Sequence, residues 1–515
     1  MIIIYHNKSK VTEIVSTETG TFPNEIHRNI VEVLFDLTDK FRDEIVVWCH
    51  ESERDNLNVS AIETLFYHKK LLFSYSSSTN NFLDNRLGYF EDSPFIKINK
   101  EVRYATWQMN SCVGAVHASV INACKKDLNA KDNFDYFLNS FAKSAMPHGL
   151  FCYSEPRLLM QKKVVESKRK SNKYELFRFT KQHYKTRWVF LLFFNLLLFE
   201  KQFQLVPFVF SLFYRKRNFN SEALNQIALA SNKKIIEQGT IDVLIPTIGR
   251  KDYLLNVLNN LASQTYLPKN VIIIEQNPLE NSQSDLDFIQ NSKWPFVIKH
   301  HFTNRSGVCN ARNIGLTMVE SEFTFFADDD IVFENDLLEK AILTFQTTGN
   351  EVFLVACHLE SQSVIPHQIK QFAVFGAGHA FVKSACFTDL KFNVAYEFGF
   401  GEDNDFGMQL RNRGYDILYV STSRILHLKA PIGGFRIKPA LQWKNEEIQP
   451  KPSPTVMLYR LLYDTKEQIR NYKFMIFIKN LNSSFLRNPF GYIKAFKQKW
   501  NSSVYWANNL KRQQS

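Results

Sequence analysis

From Asp242 onward, short apolar runs alternate with segments whose apolar residues recur at helical spacing. DVLIP (242–246), NVIIIE (270–275), FVIKHHF (296–302) and FTFFA (323–327) predict strands, and YLLNVLNNLA (253–262) and VCNARNIGLTMV (308–319) predict helices between them. Leu254, Leu258, Leu261 and Ala262 mark the inward face of the first of these helices. NVIIIE has no polar alternation, the pattern of a central strand covered on both faces. Strand and helix in turn predict an α/β fold, a parallel or mixed sheet with helices on its faces.

Residues 1–155 predict a smaller α/β domain. MIIIY and EIVVWCH (44–50) read as strands, with Ile26, Ile30, Val33, Leu34 and Leu37 forming an amphipathic stretch between them; helices are expected at 116–125 and 133–143. His50, His68, His117 and His148 are isolated and show no ligand spacing. Residues 156–238 predict a helical connector, rich in Lys and Arg at first and strongly apolar from Val189 to Tyr214. Glu200, Lys201, Gln202 and Gln204 interrupt the apolar run, so neither half reaches the roughly 20 residues of a spanning helix. It is a pair of core helices or a segment dipping into one leaflet; membrane contact is the expectation. Residues 239–450 hold the alternating region. KPSP then opens a tail over 451–515, where no acid follows Glu467 and Phe490, Ile493, Phe496 and Trp500 share one face of a basic amphipathic helix. Such a helix docks on its own core or anchors on anionic lipid, and the second is expected.

Charge narrows the partners. The 515 residues carry 63 Lys and Arg against 51 Asp and Glu, a formal net charge of +12. That balance favours an anionic partner. No nucleic-acid module is present, so nucleotide phosphates or a membrane surface are expected and nucleic acid is not. Seven cysteines without a CxxC pair fit reduced thiols. The apolar start, MIIIY, is too short for a signal peptide, and a cytoplasmic location is expected.

Within this basic chain, FFADDDIVF (325–333) sets three aspartates at the end of a strand. Neighbouring carboxylates repel, and burying them is costly unless a cation or hydrogen bonds compensate. The run is a solvated turn, an N-cap for a helix starting near Phe333 or Glu334, or a divalent-cation site of hard oxygen ligands. Four more polar segments follow strands or enter helices: IPTIGR (245–250), IIIEQNP (272–278), NRSGVCNARNIGL (304–316) and FGFGEDNDFGMQLRNRGYDI (398–417), the last followed by ILHLKAP with His427. The C-terminal edge of an open α/β sheet is where ligands bind.

Together these segments resemble the GT-A glycosyltransferases of family 2, over about residues 240–430. The Pro-Thr turn with a nearby Arg, the strand ending in an acid, the Gly-x-x-x-Ala-Arg-Asn helix, the Asp-x-Asp pair and the Gly-Glu-Asp segment stand in the family's order. The resemblance implies a Rossmann-like, mostly parallel sheet with helices on both faces and sugar transfer from a nucleotide-diphosphate donor, a UDP-sugar being expected. It implies that Thr247, Arg250 and Glu275 line the base and ribose pocket, that Arg312 faces the nucleotide, and that Asp328 and Asp329 lie against the nucleotide sugar. Asp328 and Asp330, with His427, would hold Mn²⁺ or Mg²⁺. Asp403 would take the proton of the acceptor hydroxyl, giving inversion; Glu402 would share that role or, with Asp405, hold acceptor hydroxyls. Glu402, Asp403 and Asp405 also sit where a helix begins, which favours acids for its dipole alone. Many members have Asp where Gln276 stands, leaving the base open.

The implied acceptor is a cell-surface glycan or a lipid-linked glycan, met at the inner face of the cell membrane by a peripherally attached protein. No Gln-x-x-Arg-Trp follows Asp403, so single addition is expected rather than polymerisation. Two alternatives stay open. A sugar-phosphate nucleotidyltransferase shares a similar sheet, although it starts on a Gly-rich loop that IPTIGR is not. A catalytically inactive glycan-binding subunit would keep the fold.

Overall fold

Strands of Val, Ile, Leu and Phe without polar alternation are buried on both faces at the centre of two sheets. The computed structural model describes residues 1–515 except 18–19, 23–24, 77–80, 162–170, 363–367, 432–440, 482 and 514–515, so part of the expected connector, 162–170, lies outside the described residues. The chain divides into two units, Met1–Asn232 with Asp464–Ile476 and Lys233–Tyr463 with Phe477–Ser515.

In the first unit β1 (Ile2–Asn7), β2 (Lys10–Ser16), β3 (Gly20–Thr21), β4 (Ile45–His50), β5 (Leu71–Tyr75), β6 (Tyr104–Ala105), β7 (Val113–His117) and β8 (Phe151–Ser154) pair in the order β3-β2-β1-β4-β7-β5-β8-β6. The strands legible in the sequence, β1 and β4, are parallel neighbours with Ile2 opposite Val46. The helix Ile30–Lys40 joins them and buries Val33, Leu34 and Leu37. The helix expected from 116 starts at Ala118, because Val116 and His117 complete β7; His117 Nδ1 then accepts from Ser119 N at 3.2 Å as the cap. Helices Lys173–His183, Arg187–Glu200 and Leu205–Leu212 belong to this unit. Phe179 ties the first of them down, stacking on Trp107 at 5.4 Å between ring centroids.

In the second unit β9 (Ile241–Thr247), β10 (Asn270–Gln276), β11 (Val297–Thr303), β12 (Phe323–Ala327), β13 (Ile331–Phe333), β14 (Val352–His358), β15 (Ile369–Gln371), β16 (His379–Lys383) and β17 (Leu418–His427) form the larger sheet. Its order is β11-β10-β9-β12-β16-β14-β17-β13, with β15 also on β17. The run from β11 to β12 is parallel, β14 runs parallel to β17, and the remaining pairs are antiparallel. Parallel pairing brings the C-terminal ends of β9, β10 and β12 to one edge, with Thr247 opposite Glu275. Ala311 of the helix Val308–Leu316 packs on Ile272 and Ile274 of β10. Residues Ile331–Phe333 extend as a strand, and the next helix starts only at Leu337. The tail helix Pro489–Arg512 packs on the helix Pro454–Tyr463 and buries Trp500, Ser503, Ala507 and Leu510, while Phe490 and Ile493 stay exposed. Among the described residues no helix is long and apolar enough to cross a membrane.

Candidate active site

Strand β12 stops at Ala327, and the three carboxylates after it part company. Asp329 and Asp330 are buried and Asp328 half-buried, which rules out a solvated turn. Asp329 turns toward β9: its Oδ2 accepts from Thr247 Oγ1 at 2.7 Å and its Oδ1 from Arg250 Nη1 at 2.6 Å. Burial pushes its carboxyl up to about 6 against those two partners. Asp330 turns toward β17, because β13 pairs antiparallel with it and places Ile331 opposite His427. Asp330 Oδ1 lies 3.1 Å from His427 Nε2, its Oδ2 accepts from Ala430 N at 2.8 Å, and Arg250 Nη1 is 3.3 Å away. Burial alone would raise the Asp330 carboxyl; the His427 hydrogen bond, the Ala430 N–H and Arg250 outweigh it and hold it below the usual range. The hydrogen bond to Asp330 raises His427 in turn.

Asp328, Asp330 and His427 each offer one ligand atom, and these atoms lie within 4.8 Å of one another. Two carboxylate oxygens and an imidazole nitrogen form a donor set that suits Mn²⁺ or Mg²⁺. Gly378 leaves the room for Asp328; a Cβ there would run into its Oδ2.

The helix Val308–Leu316 brings Arg312. Its Nη1 donates to Asp403 Oδ1 at 2.9 Å, and its Nη2 lies 3.7 Å from Asp328 Oδ1. Asn313 fixes this helix against the approach to Asp403: its Nδ2 donates to Phe392 O at 2.8 Å and its Oδ1 accepts from Phe392 N at 2.7 Å. Glu397 closes the helix N-terminus, accepting from Cys309 N and Asn310 N at 3.0 Å each. No motif pointed to Glu397. Gln276 is also structural here, its Oε1 accepting from Gly307 N at 2.6 Å.

Glu402, Asp403 and Asp405 lie in the first turn of the helix Glu402–Asn412, behind Gly401 at φ 120. Burial, then the charge of Asp403, pushes the Glu402 carboxyl up to about 7. Asp405 is buried at 1 % exposure, and its oxygens accept from Tyr463 Oη at 2.9 Å and Gln409 Nε2 at 2.7 Å. Glu275 stands on the same sheet edge but outside the aspartate cluster, meeting His300 Nε2 at 2.9 Å and Asp285 N at 3.2 Å. Direct contacts therefore join Thr247, Arg250, Asp329, Asp330 and His427 in one group and Asp328, Arg312 and Asp403 in another. The spacing of Asp328, Asp330 and His427 links the two groups.

His379 begins β16 opposite Ala327. Its Nδ1 donates to Val355 O at 2.7 Å, which fixes the tautomer and leaves Nε2 an acceptor. A Gly-x-Gly, Gly376 to Gly378, stands just ahead of it in the sequence.

Comparison with known proteins identifies the domain. Residues 242–393 match the model of Glycosyl transferase family 2. The chain is 27 % identical over 143 residues to an uncharacterized glycosyltransferase of Rickettsia bellii, a match covering 27 % of this chain and 20 % of that one. It is 26 % identical over 116 residues to the poly(ribitol-phosphate) beta-N-acetylglucosaminyltransferase TarS of Staphylococcus aureus, covering 22 % of this chain and 20 % of TarS. The chain thus spans about a fifth of the length of these curated relatives. The crystal structure of S. aureus TarS 1–349 in complex with UDP-GlcNAc aligns with TM-score 0.34 and 19 % identity, over 45 % of this chain and 69 % of that one.

Proposed function

Residues 242–393 form a glycosyltransferase domain of family 2, and from that premise we propose that the protein moves a sugar from a nucleotide-diphosphate donor to a hydroxyl of a cell-surface or lipid-linked glycan, with inversion. A UDP-sugar is the donor. The observation that carries this reading is the single guanidinium of Arg312 held between Asp328, one of the would-be metal ligands, and Asp403.

Asp328, Asp330 and His427 would hold Mn²⁺ or Mg²⁺, which when bound offsets the charge that grows on the diphosphate leaving group. Thr247, Arg250 and Glu275 hold the base and ribose, and Asp329 fixes the first two of these. Arg312 faces the donor phosphates from between Asp328 and Asp403. As the acceptor oxygen bonds to the anomeric carbon and the sugar–diphosphate bond breaks, the hydroxyl proton passes to Asp403. Glu402, one residue away, binds acceptor hydroxyls and, when ionised, sets a second negative charge beside that base. Asp405 supports the same acceptor edge through the helix it braces.

Catalysis falls to residues 239–450, and the basic tail over 451–515 keeps the protein at the anionic inner face of the cell membrane. One relative is named a poly(ribitol-phosphate) beta-N-acetylglucosaminyltransferase, which makes UDP-GlcNAc the first donor to try. The test is a panel of nucleotide sugars with Mn²⁺, nucleotide release being measured with and without lipid extract. Release confined to one donor and raised by extract supports the reading. Binding of UDP without release from any donor would make the chain an inactive glycan-binding subunit. Pyrophosphate release from a nucleotide triphosphate and a sugar phosphate would make it a nucleotidyltransferase.

A further inference from the structure

The helix Arg187–Glu200 buries Val189, Leu192, Phe193 and Leu196, yet it and the helix Leu205–Leu212 carry large apolar side chains on their outer face as well. Asn195 is buried, its Nδ2 donating to Leu191 O at 2.8 Å and to Asn471 Oδ1 at 2.9 Å. Ser211 is buried as well, its Oγ donating to Phe208 O at 2.6 Å. Other large apolar side chains face outward. Phe190, Phe194 and Leu198, spaced four apart on one helix face, are 43 %, 42 % and 45 % exposed. Phe203, Phe210 and Phe213 are 65 %, 60 % and 82 % exposed. A row of large apolar side chains turned outward is the arrangement of a surface whose surroundings are not water.

A collar of cations borders this face. Lys185 and Arg187 are exposed where the first helix starts, Lys201 where it ends, and Arg215 and Lys216 directly after Tyr214. Glu200 is the one acid between residues 181 and 216. The helices, 14 and 8 residues long, are too short to span the roughly 30 Å hydrocarbon layer.

We propose that this hairpin is seated in the interfacial layer of an anionic bilayer, its phenylalanines among the acyl chains and its Lys/Arg collar at the headgroups. The proposal deepens the membrane location given above and is independent of the sugar chemistry. A second copy of the chain is a poor occupant, since it would bring the same positive collar against this one.

Sedimentation of the full chain with vesicles decides the matter. The protein is expected to pellet with vesicles containing phosphatidylglycerol and less with pure phosphatidylcholine. Phe210→Glu with Phe213→Glu should lower that partition at least about tenfold. Arg215→Glu with Lys216→Glu, at exposed positions, should remove the preference for phosphatidylglycerol while the thermal unfolding midpoint holds. Wild-type protein left in the supernatant of both vesicle types, or pelleting unchanged in both variants, overturns the proposal. So does a wild-type dimer in light scattering that the Phe210→Glu, Phe213→Glu variant dissociates. Nucleotide release from a soluble donor, measured on the same samples, reads the catalytic reading separately.

Discussion

Arg312 Nη1 sits 2.9 Å from Asp403 Oδ1, with its guanidinium 5.1 Å above the Phe392 ring and 5 % of the residue exposed. The carboxylates of Asp403 and Asp328 are the charge partners of a cation that is itself buried. Removing one partner of such a set leaves uncompensated charge and costs about 3–5 kcal/mol. Arg312→Met is therefore expected to lower the unfolding free energy by about 3 kcal/mol in urea titration. Arg312→Lys keeps the charge but not the fork that meets Asp403 and Asp328 together. It should stay folded and lose about two orders of magnitude in kcat for nucleotide release. Full activity in the lysine variant would show that the forked geometry is not used.

Asp330 is the carboxylate on which the metal reading rests most heavily. Chelation with EDTA should stop nucleotide release, and added Mn²⁺ should restore it. Mn²⁺ should also raise the thermal midpoint of the wild type, since a ligand bound only by the folded state stabilises it, by about 2.7 kcal/mol at a hundredfold excess over Kd. Asp330→Asn should show neither the activity nor the shift. A Mn²⁺-dependent midpoint that survives in Asp330→Asn places the ion on other residues.

Glu402 supplies the pH dependence. Its carboxyl is pushed from an ordinary 4.5 up to about 7 by burial and by Asp403, so the folded protein keeps a proton that the unfolded chain gives up. Stability then falls as pH rises through that window and is lowest above it. Glu402→Gln removes the loss; above pH ~8 its unfolding free energy should exceed the wild type's by about 2 kcal/mol. In kinetics, kcat/KM of the wild type should climb through pH ~7, and the glutamine variant should lack that limb. An acid limb unchanged in Glu402→Gln assigns the titration elsewhere.

Local sequence carried the centre of the second sheet and the candidate residues at its edge, and it failed where pairing is remote. NVIIIE and FTFFA are strands on their own composition. Ile331–Phe333 is too short to declare itself, and it becomes a strand only through β17, which also sets His427 beside Asp330, 97 positions away in sequence. Gln276 read as a departure from the family pattern and proves to be a cap for Gly307. In the Val189–Tyr214 segment both faces of the first helix are apolar, so periodicity could not tell the buried Val189, Leu192 and Leu196 from the exposed Phe190, Phe194 and Leu198.

Gly307 shows why the Gly-x-x-x-Ala-Arg-Asn helix must open on glycine. It holds φ 139, a conformation other residues rarely adopt, and a Cβ there would run into the Glu397 carboxylate. Two penalties are thus stacked on Gly307→Ala: backbone strain of about 1–3 kcal/mol, and displacement of the acid that caps Cys309 and Asn310. Glu397→Ala alone removes the cap, at about 1 kcal/mol. In the double variant the collision is gone and only the strain and the lost cap remain. The unfolding free energies should therefore be non-additive, the double variant being less destabilised than the sum of the singles by about 1 kcal/mol. Urea titration of the four proteins measures that difference directly; strict additivity would mean that Gly307 is required for its dihedral angle and not for the room it leaves Glu397.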